Sequence, residues 1–327
     1  MNFIAVIGAG LSGLTIAHTL KNQANITIFE KSMGVGGRMA TRRADPFHFD
    51  HGAQFFIVKT ETFQTFIDPM IEQGVIQHWA ARFAEFENKE IVAQRNWDQH
   101  YPHYVGAPGM NAIGKYLSNG LNIHLNTRVG SIQKDADHWS LFDDQSKHLG
   151  NFDWVISTVP AKQASELLSK AFTYHSQIKS VKMKGCFSLM LGFETPLALE
   201  FDAALVRGRD ISWISVNSSK PGRDEAFCLL IHSTNKWADE HIEDDRNEVL
   251  EYLCSETSRT ISHDVTKATH KAIHGWRYAN IEKQEDPSYF IDIDQKLGAC
   301  GDWCIQGRIE AAFTSGLGLA KKILKNI

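Results

Sequence analysis

The sequence has no C-x-x-C pair: its five cysteines, Cys186, Cys228, Cys254, Cys300 and Cys304, form an odd and scattered set. Neither a disulfide framework nor a zinc site is indicated, and no metal is expected. No stretch of about eighteen apolar residues occurs, and the opening MNFIAVIGAG carries no basic segment ahead of its apolar run. Neither a membrane span nor an export signal is expected. Charge of either sign is nearly balanced, with 34 Lys and Arg against 38 Asp and Glu for a formal −4. That removes the electrostatic pull toward nucleic acid or an anionic membrane. Internal repeats and low-complexity segments are absent as well. These absences leave a soluble, cytoplasmic, globular chain.

What is present begins at residue 3. In FIAVIGAGLSGL the β-branched run Phe3–Ile7 stops at Gly8, Gly10 and Gly13, and apolar residues resume at helical spacing through Leu14, Ala17 and Leu20. The pattern reads as strand, tight turn and helix. The first glycine permits the turn, the second lets backbone approach a pyrophosphate, and the third lets helix pack on strand. The helix N-terminus then faces negative charge. NITIFEK supplies a second strand whose terminal acid, Glu30, lies twenty residues beyond Gly10, where a carboxylate can accept hydrogen bonds from ribose hydroxyls. The reading is a dinucleotide site.

The loop KSMGVGGRMATRR follows, with Gly36, Gly37 and the arginines Arg38, Arg42 and Arg43. Amides and guanidinium groups so close together suit a second contact with the same pyrophosphate. DHGAQFF places Gly52 and Gln54 beside paired aromatics, and the aromatics of 58–105 read as core. Met110–Leu117 reads as helix, Ile123–Ile132 as strands, and Trp154–Val159 as a buried strand closed by Pro160. CFSLMLGF, ISWISV and AFCLLIHST suggest an antiparallel sheet outside the first domain, followed by a helix over Asp245–Ser258. The ending LGACGDWCIQGRIEAAFTSGLGLAKKIL is again strand, glycine turn and helix, so the first domain is expected to be discontinuous.

Glycine turns at both ends of the chain, with Glu30 and Asp302, look like the FAD-binding Rossmann domain of the glutathione-reductase-like flavoproteins. That resemblance implies that Asp302 bonds the ribityl chain or a phosphate, next to Gly301. It also implies that amides near Ile309 and Glu310, at the start of the last helix, lie under the pyrimidine edge of the flavin, where the helix dipole favours negative charge. The expected fold is α/β, with a second α+β substrate domain built on the antiparallel sheet. The FAD-binding domain is expected over 1–57, 104–170 and 275–327, and the substrate domain over 58–103 and 171–274.

GGRMATRR, DHGAQFF, GAPGMNAI, SKPGRDEAF, HSTNKW, HGWRYA and CGDWCIQGRIEAAFTSG occur in that order. Together they resemble the renalase-type flavoproteins over nearly the whole chain. The resemblance implies noncovalent FAD and oxidation of the 2- and 6-dihydro isomers of NAD(P)H. Hydride would pass to flavin N5, O2 would reoxidise the flavin, and the products would be NAD(P)+ and H2O2. It nominates Gln54, His232, Trp276 and Tyr278 as lining the nicotinamide site. Ser12, Lys31, Val129 and Gln54 join the glycines, Glu30, Arg38, Asp302, Ile309 and Glu310 as cofactor contacts. Two alternatives remain at this stage. One is amine oxidation, an activity of relatives of this fold. The other is a carrier without chemistry, as in the Rab GDP-dissociation inhibitors. Cys304 could tether a flavin, but GDWCIQG does not match the monoamine oxidases' tethering sequence, and Cys304 reads as a small buried residue.

Overall fold

The apolar run Phe3–Ile7 becomes an interior strand of a six-stranded sheet, with Ile4, Ala5 and Val6 fully buried. Burial on both faces is why the run does not alternate. The computed structural model describes residues 1–135, 137–168, 172–285 and 287–327. They divide into two units. Met1–Arg38, Gly114–Met183 and Ile281–Ile327 form the first, and Met39–Ile113 with Lys184–Asn280 the second.

In the first unit the strands run in the order Phe290–Asp292, Leu297–Ala299, Trp154–Ser157, Phe3–Ile7, Asn25–Phe29 and Asn122–His124. All neighbours are parallel except the edge pair Phe290–Asp292 and Leu297–Ala299. This is a Rossmann-like parallel sheet in a mixed α/β fold. Helix Leu11–Leu20 follows the first strand and helix Ile309–Leu324 closes the chain. Ser12 Oγ donates to the Ala312 carbonyl at 2.7 Å, joining the two helices at their N-terminal ends.

The second unit holds a seven-stranded sheet in the order His270–Asn280, Lys184–Gly192, Cys228–Ser233, Ile211–Val216, Ala203–Arg207, Arg82–Glu87 and Glu90–Asn96. The three apolar runs read as strands pair antiparallel. Ala203–Arg207 and Arg82–Glu87 pair parallel, so the sheet is mixed. One face packs Leu189, Leu191 and Ile231 against Trp237, Ala238, Val249 and Leu253, which come from helices Asn235–His241 and Arg246–Ile261. Asp245 caps the second of these helices, its carboxylate accepting from Asn247 N and Glu248 N.

The unit boundaries differ from the domain limits expected from sequence. Residues 39–57, 104–113 and 275–280 lie in the second unit. Phe47 and Phe49 of the hairpin Arg42–Ala44/Phe47–Phe49 pack on Met190, Cys228 and Leu230 of its sheet. Tyr104–Gly106 pairs with Ile76–His78, and one strand runs unbroken from His270 to Asn280. The limit drawn at 170/171 falls outside the described residues. Beyond it, Phe172 and Ile178 belong to the first unit's core with Trp303 and Phe290.

Candidate functional site

In the first unit the glycine turn forms as its spacing predicts. Gly8 has φ +109°, a conformation open to glycine, and its amide donates to the Phe29 carbonyl at 2.8 Å. A Cβ on Gly13 would collide with the Gly8 carbonyl oxygen, so the helix can approach the strand only with glycine there. A Cβ on Gly10 would meet nothing within 4 Å. Gly10 is also the N-cap residue and supplies no side-chain acceptor to the first-turn amides, and no acid occupies that turn. Open space over uncapped amides at a helix N-terminus is the cradle a pyrophosphate fits.

Glu30 is buried, with Oε2 accepting from Ala9 N and Oε1 from Ser32 N, both at 2.8 Å. The carboxylate thus braces the glycine turn and keeps further lone pairs for ribose hydroxyls. The second glycine loop docks on the first: Gly36 N donates to the Ala9 carbonyl at 2.8 Å, and Gly10 bridges to Gly36. Gly37 at φ +56° completes that turn. Arg38 and Asp302, expected as separate cofactor contacts, are bonded to each other through two N–H···O bonds of 2.8 and 2.5 Å. The bidentate pair fixes the guanidinium and leaves it less than half exposed.

Arg42 and Arg43, expected in a loop, take regular secondary structure instead. They form a β-hairpin strand in the second unit, because Phe47 and Phe49 draw that segment into its core. The Ser12 hydroxyl donates to the Ala312 carbonyl and keeps only acceptor capacity for a ligand. Lys31 is exposed and reaches Gln163, and Val129 is buried at the start of its strand. Gly301 precedes the turn Asp302–Cys304, and its amide donates to Ser315 Oγ at 3.0 Å. Ile309 and Glu310 open the last helix, whose N-cap residue Arg308 provides no side-chain cap. The residues present therefore fit a flavin dinucleotide.

The second unit is built around a carboxylate that sequence reasoning passed over. Asp50 is fully buried. Its Oδ1 accepts from Thr41 Oγ1 at 2.7 Å and Met110 N at 2.9 Å, and its Oδ2 from Arg223 Nη2 at 2.5 Å and Lys220 Nζ at 3.4 Å. Burial by itself would raise the Asp50 carboxyl, but Lys220 and Arg223 outweigh it and hold it below the ordinary range. Burial pushes the Lys220 ammonium down to about 8 against the pull of Asp50. Gln54 is drawn into this network. Its Nε2 donates to the Asp50 and Gly52 carbonyls, and its Oε1 accepts from Ser215 Oγ and Lys220 Nζ. With its amide bonded on both sides, Gln54 ties the 50–54 segment to Ser215 and Lys220.

His232 and Trp276 lie on the same sheet. Direct cross-strand pairing runs His274–Ser188–His232–Trp213, which puts these four on one face. The His51 carbonyl accepts from Ser188 Oγ at 2.6 Å and Trp276 Nε1 at 2.8 Å, while the His51 ring stacks on Trp276 with centroids 5.1 Å apart. Tyr278 is half-buried in the irregular stretch between the pairs Lys184–Asn280 and Cys186–Trp276. Burial holds His51 and His232 at about 4, and His274 is lowered by burial and by Arg42. The row is uncharged at neutral pH. His51 and His274 lie within DHGAQFF and HGWRYA, but nothing in either stretch marks them out from their neighbours.

Against known proteins, the profile described as an NAD(P)-binding Rossmann-like domain matches residues 6–68, and that of the flavin containing amine oxidoreductases matches residues 86–324. The chain belongs to the flavin containing amine oxidoreductase family. Renalase of Mus musculus is 22% identical over 354 aligned residues, covering 100% of both chains. A 4,4'-diapophytoene desaturase of Staphylococcus aureus is 52% identical over 50 residues, 15% of this chain and 10% of the desaturase. A redesigned putrescine oxidase triple mutant superposes with a TM-score of 0.74 at 12% identity, covering 100% of this chain and 99% of that one. The protein is an FAD-dependent oxidoreductase rather than a carrier without chemistry.

Two outcomes follow from this geometry. Glu30→Ala is expected to weaken FAD affinity by about 1.5 to 3 kcal/mol, the cost of a hydrogen bond to a charged group, as read by titrating apoprotein with FAD. Unchanged affinity would show that the carboxylate serves the turn alone. The neutral histidines set a pH dependence as well. Their folded values lie below the unfolded value of about 6.5, so the unfolded chain binds more protons in acid. Stability is full above pH ~6.5 and is lost progressively toward pH ~4. Denaturant titrations that give the same stability at pH 7 and pH 5 would contradict this burial.

Proposed function

We propose that the protein oxidises the 2- and 6-dihydro isomers of NAD(P)H to NAD(P)+, with O2 as final acceptor and H2O2 as product. The setting proposed is a glutathione-reductase-like FAD domain with noncovalent FAD, in the cytoplasm. One observation carries the reading: the row His274–Ser188–His232–Trp213 with Trp276 is aromatic, hydrogen-bonding and uncharged. Such a wall suits a planar ring bearing a carboxamide. The two-electron oxidising capacity and the reduction of O2 are supplied by bound FAD.

The chain's own residues then position the substrate. Trp276 is fixed by its N–H bond to the His51 carbonyl and by stacking on the His51 ring, so its indole is a rigid wall. Nε2 of His232 is buried with no hydrogen-bond partner in the described residues, leaving it for a polar ligand group. Tyr278, on the strand that carries Trp276, extends this surface. No strong base is needed, because recovery of aromaticity drives loss of hydride from the ring. Binding of the ring and exclusion of water are the protein's tasks. A noncovalent cofactor is supported by Cys304, whose burial pushes its thiol up and withholds a nucleophilic thiolate. The five free, buried cysteines support a reducing compartment. Amine oxidation is the second reading, favoured by the description of the matched family.

A wall rigid enough to bring C2 or C6 of the ring to about 3 to 3.5 Å from the acceptor holds C4 away, and an ångström of misplacement costs on the order of 100-fold. Anaerobic mixing is expected to show fast flavin bleaching by at least one isomeric dihydronicotinamide. Bleaching by ordinary NADH and by primary amines is expected to be slower by about 100-fold. An amine that bleaches the flavin while the isomers leave it oxidised would transfer the assignment to amine oxidation.

A further inference from the structure

The hairpin Arg42–Ala44/Phe47–Phe49 covers part of the sheet face that carries the row His274–Ser188–His232–Trp213. Its Phe47 and Phe49 pack on Met190, Cys228 and Leu230, and Phe49 stacks on His270 with ring centroids 5.5 Å apart. Met190 and Leu230 lie two residues from Ser188 and His232 on their strands, so hairpin and row share one face. Arg42 pairs directly across the hairpin from Phe49, and residues opposed in this way project to the same side. Its side chain is therefore turned toward the strand His270–Asn280 at the edge of the sheet, whereas Arg43 and His48 project to the other side of the hairpin.

The Arg42 guanidinium is unpaired in that position. It is exposed, with no side-chain hydrogen bond and no ion pair among the described residues. Asp50 is taken by Lys220 and Arg223, and Asp224 is bonded to His48. The positive charge nevertheless acts on the row. Burial first, and then Arg42, hold His270 and His274 below their ordinary range, and Arg42 lowers His51 as well, behind burial and His274. His51 and His274 both contact the Trp276 ring. Arg246 also acts on His274, but its guanidinium donates to the Ile242 and Asp244 carbonyls and lies over the Phe187 ring. Arg42 thus brings a cation free to take an anion alongside an uncharged aromatic wall.

We propose that Arg42 binds the 5'-phosphate of the nucleotide whose nicotinamide ring lies against Trp276 and His274. The subsite rests on the dihydronicotinamide reading and divides recognition in two: the wall takes the ring, and the guanidinium takes the phosphate. Two parallel N–H donors match two phosphate oxygens, and such charge-assisted pairs are the strong ones. A protonated amine would meet like charge at this position. Arg42 is thereby a specificity-determining residue that favours nucleotides over both bare rings and amines.

The test is calorimetric titration of the FAD-loaded protein with nicotinamide mononucleotide and, separately, with nicotinamide riboside, which differ only by the phosphate. The mononucleotide is expected to bind about tenfold more tightly, with an advantage that shrinks as salt is raised. Arg42→Gln should erase most of that advantage while leaving affinity for the riboside and for FAD unchanged. Arg42→Lys, which keeps the charge and loses the planar fork, should retain part of it. Retained flavin absorbance shows that each variant is folded. The proposal is overturned if neither ligand binds, if the parent binds both equally, if Arg42→Gln weakens both alike, or if it weakens FAD instead. Failure of the dihydronicotinamide reading appears in flavin bleaching by the isomers. An unchanged phosphate preference in an Arg42→Gln protein whose flavin the isomers still bleach defeats the subsite alone.

Discussion

A single carboxylate holds two buried cations in the second unit. Asp50, Lys220 and Arg223 have side chains no more than 2% exposed, so the fold surrounds one negative and two positive charges. Desolvation makes such a group tolerable only when every charge is bonded. The remaining bonds show how far the arrangement reaches. Asp50 gathers Thr41 and Met110, Lys220 adds Asn217 and Gln54, and Arg223 donates to the Gly106 and Pro221 carbonyls. Segments far apart in the chain are tied to one point. His51 follows Asp50 directly, so the carbonyl that orients Trp276 and Ser188 inherits its position from this cluster.

How much of this was legible in the sequence depended on how local the signal was. The dinucleotide turn occupies thirty residues, and each glycine has a separate steric reason that can be read from spacing alone. Gly8, Gly10, Gly13 and Glu30 therefore stand where the pattern put them. The second unit offers no such code. Asp50 and Lys220 are 170 positions apart, and nothing in DHGAQFF or SKPGRDEAF announces that they share a bond. Gln54 was nominated by the family resemblance alone, and the internal partners that bond its amide, Ser215 and Lys220, come from sequence positions more than 160 residues away. Arg42 and Arg43 read as loop by composition, whereas burial of Phe47 and Phe49 makes the segment a hairpin.

The two halves of the chemistry follow from different physics. In the first unit, backbone amides and fixed carboxylates suit a charged, hydroxylated dinucleotide. In the second, histidines kept neutral by burial stand beside tryptophans, and the proposed recognition there would rest on stacking and on unpartnered ring nitrogens. An oxidation driven by recovered aromaticity asks for alignment rather than for a strong base. That places the burden on whatever keeps the 50–54 segment and the Trp276 wall rigid.

The central claim is that Asp50 acts by neutralising buried cations, and a double-mutant cycle on unfolding free energy tests it most directly. Asp50→Asn should cost about 3 to 5 kcal/mol, because it strands two buried positive charges. Adding Lys220→Met should recover a substantial part of that loss, with a coupling of at least about 1 kcal/mol. Strictly additive losses would show that the carboxylate and the ammonium act independently, and the account of the second unit would fail.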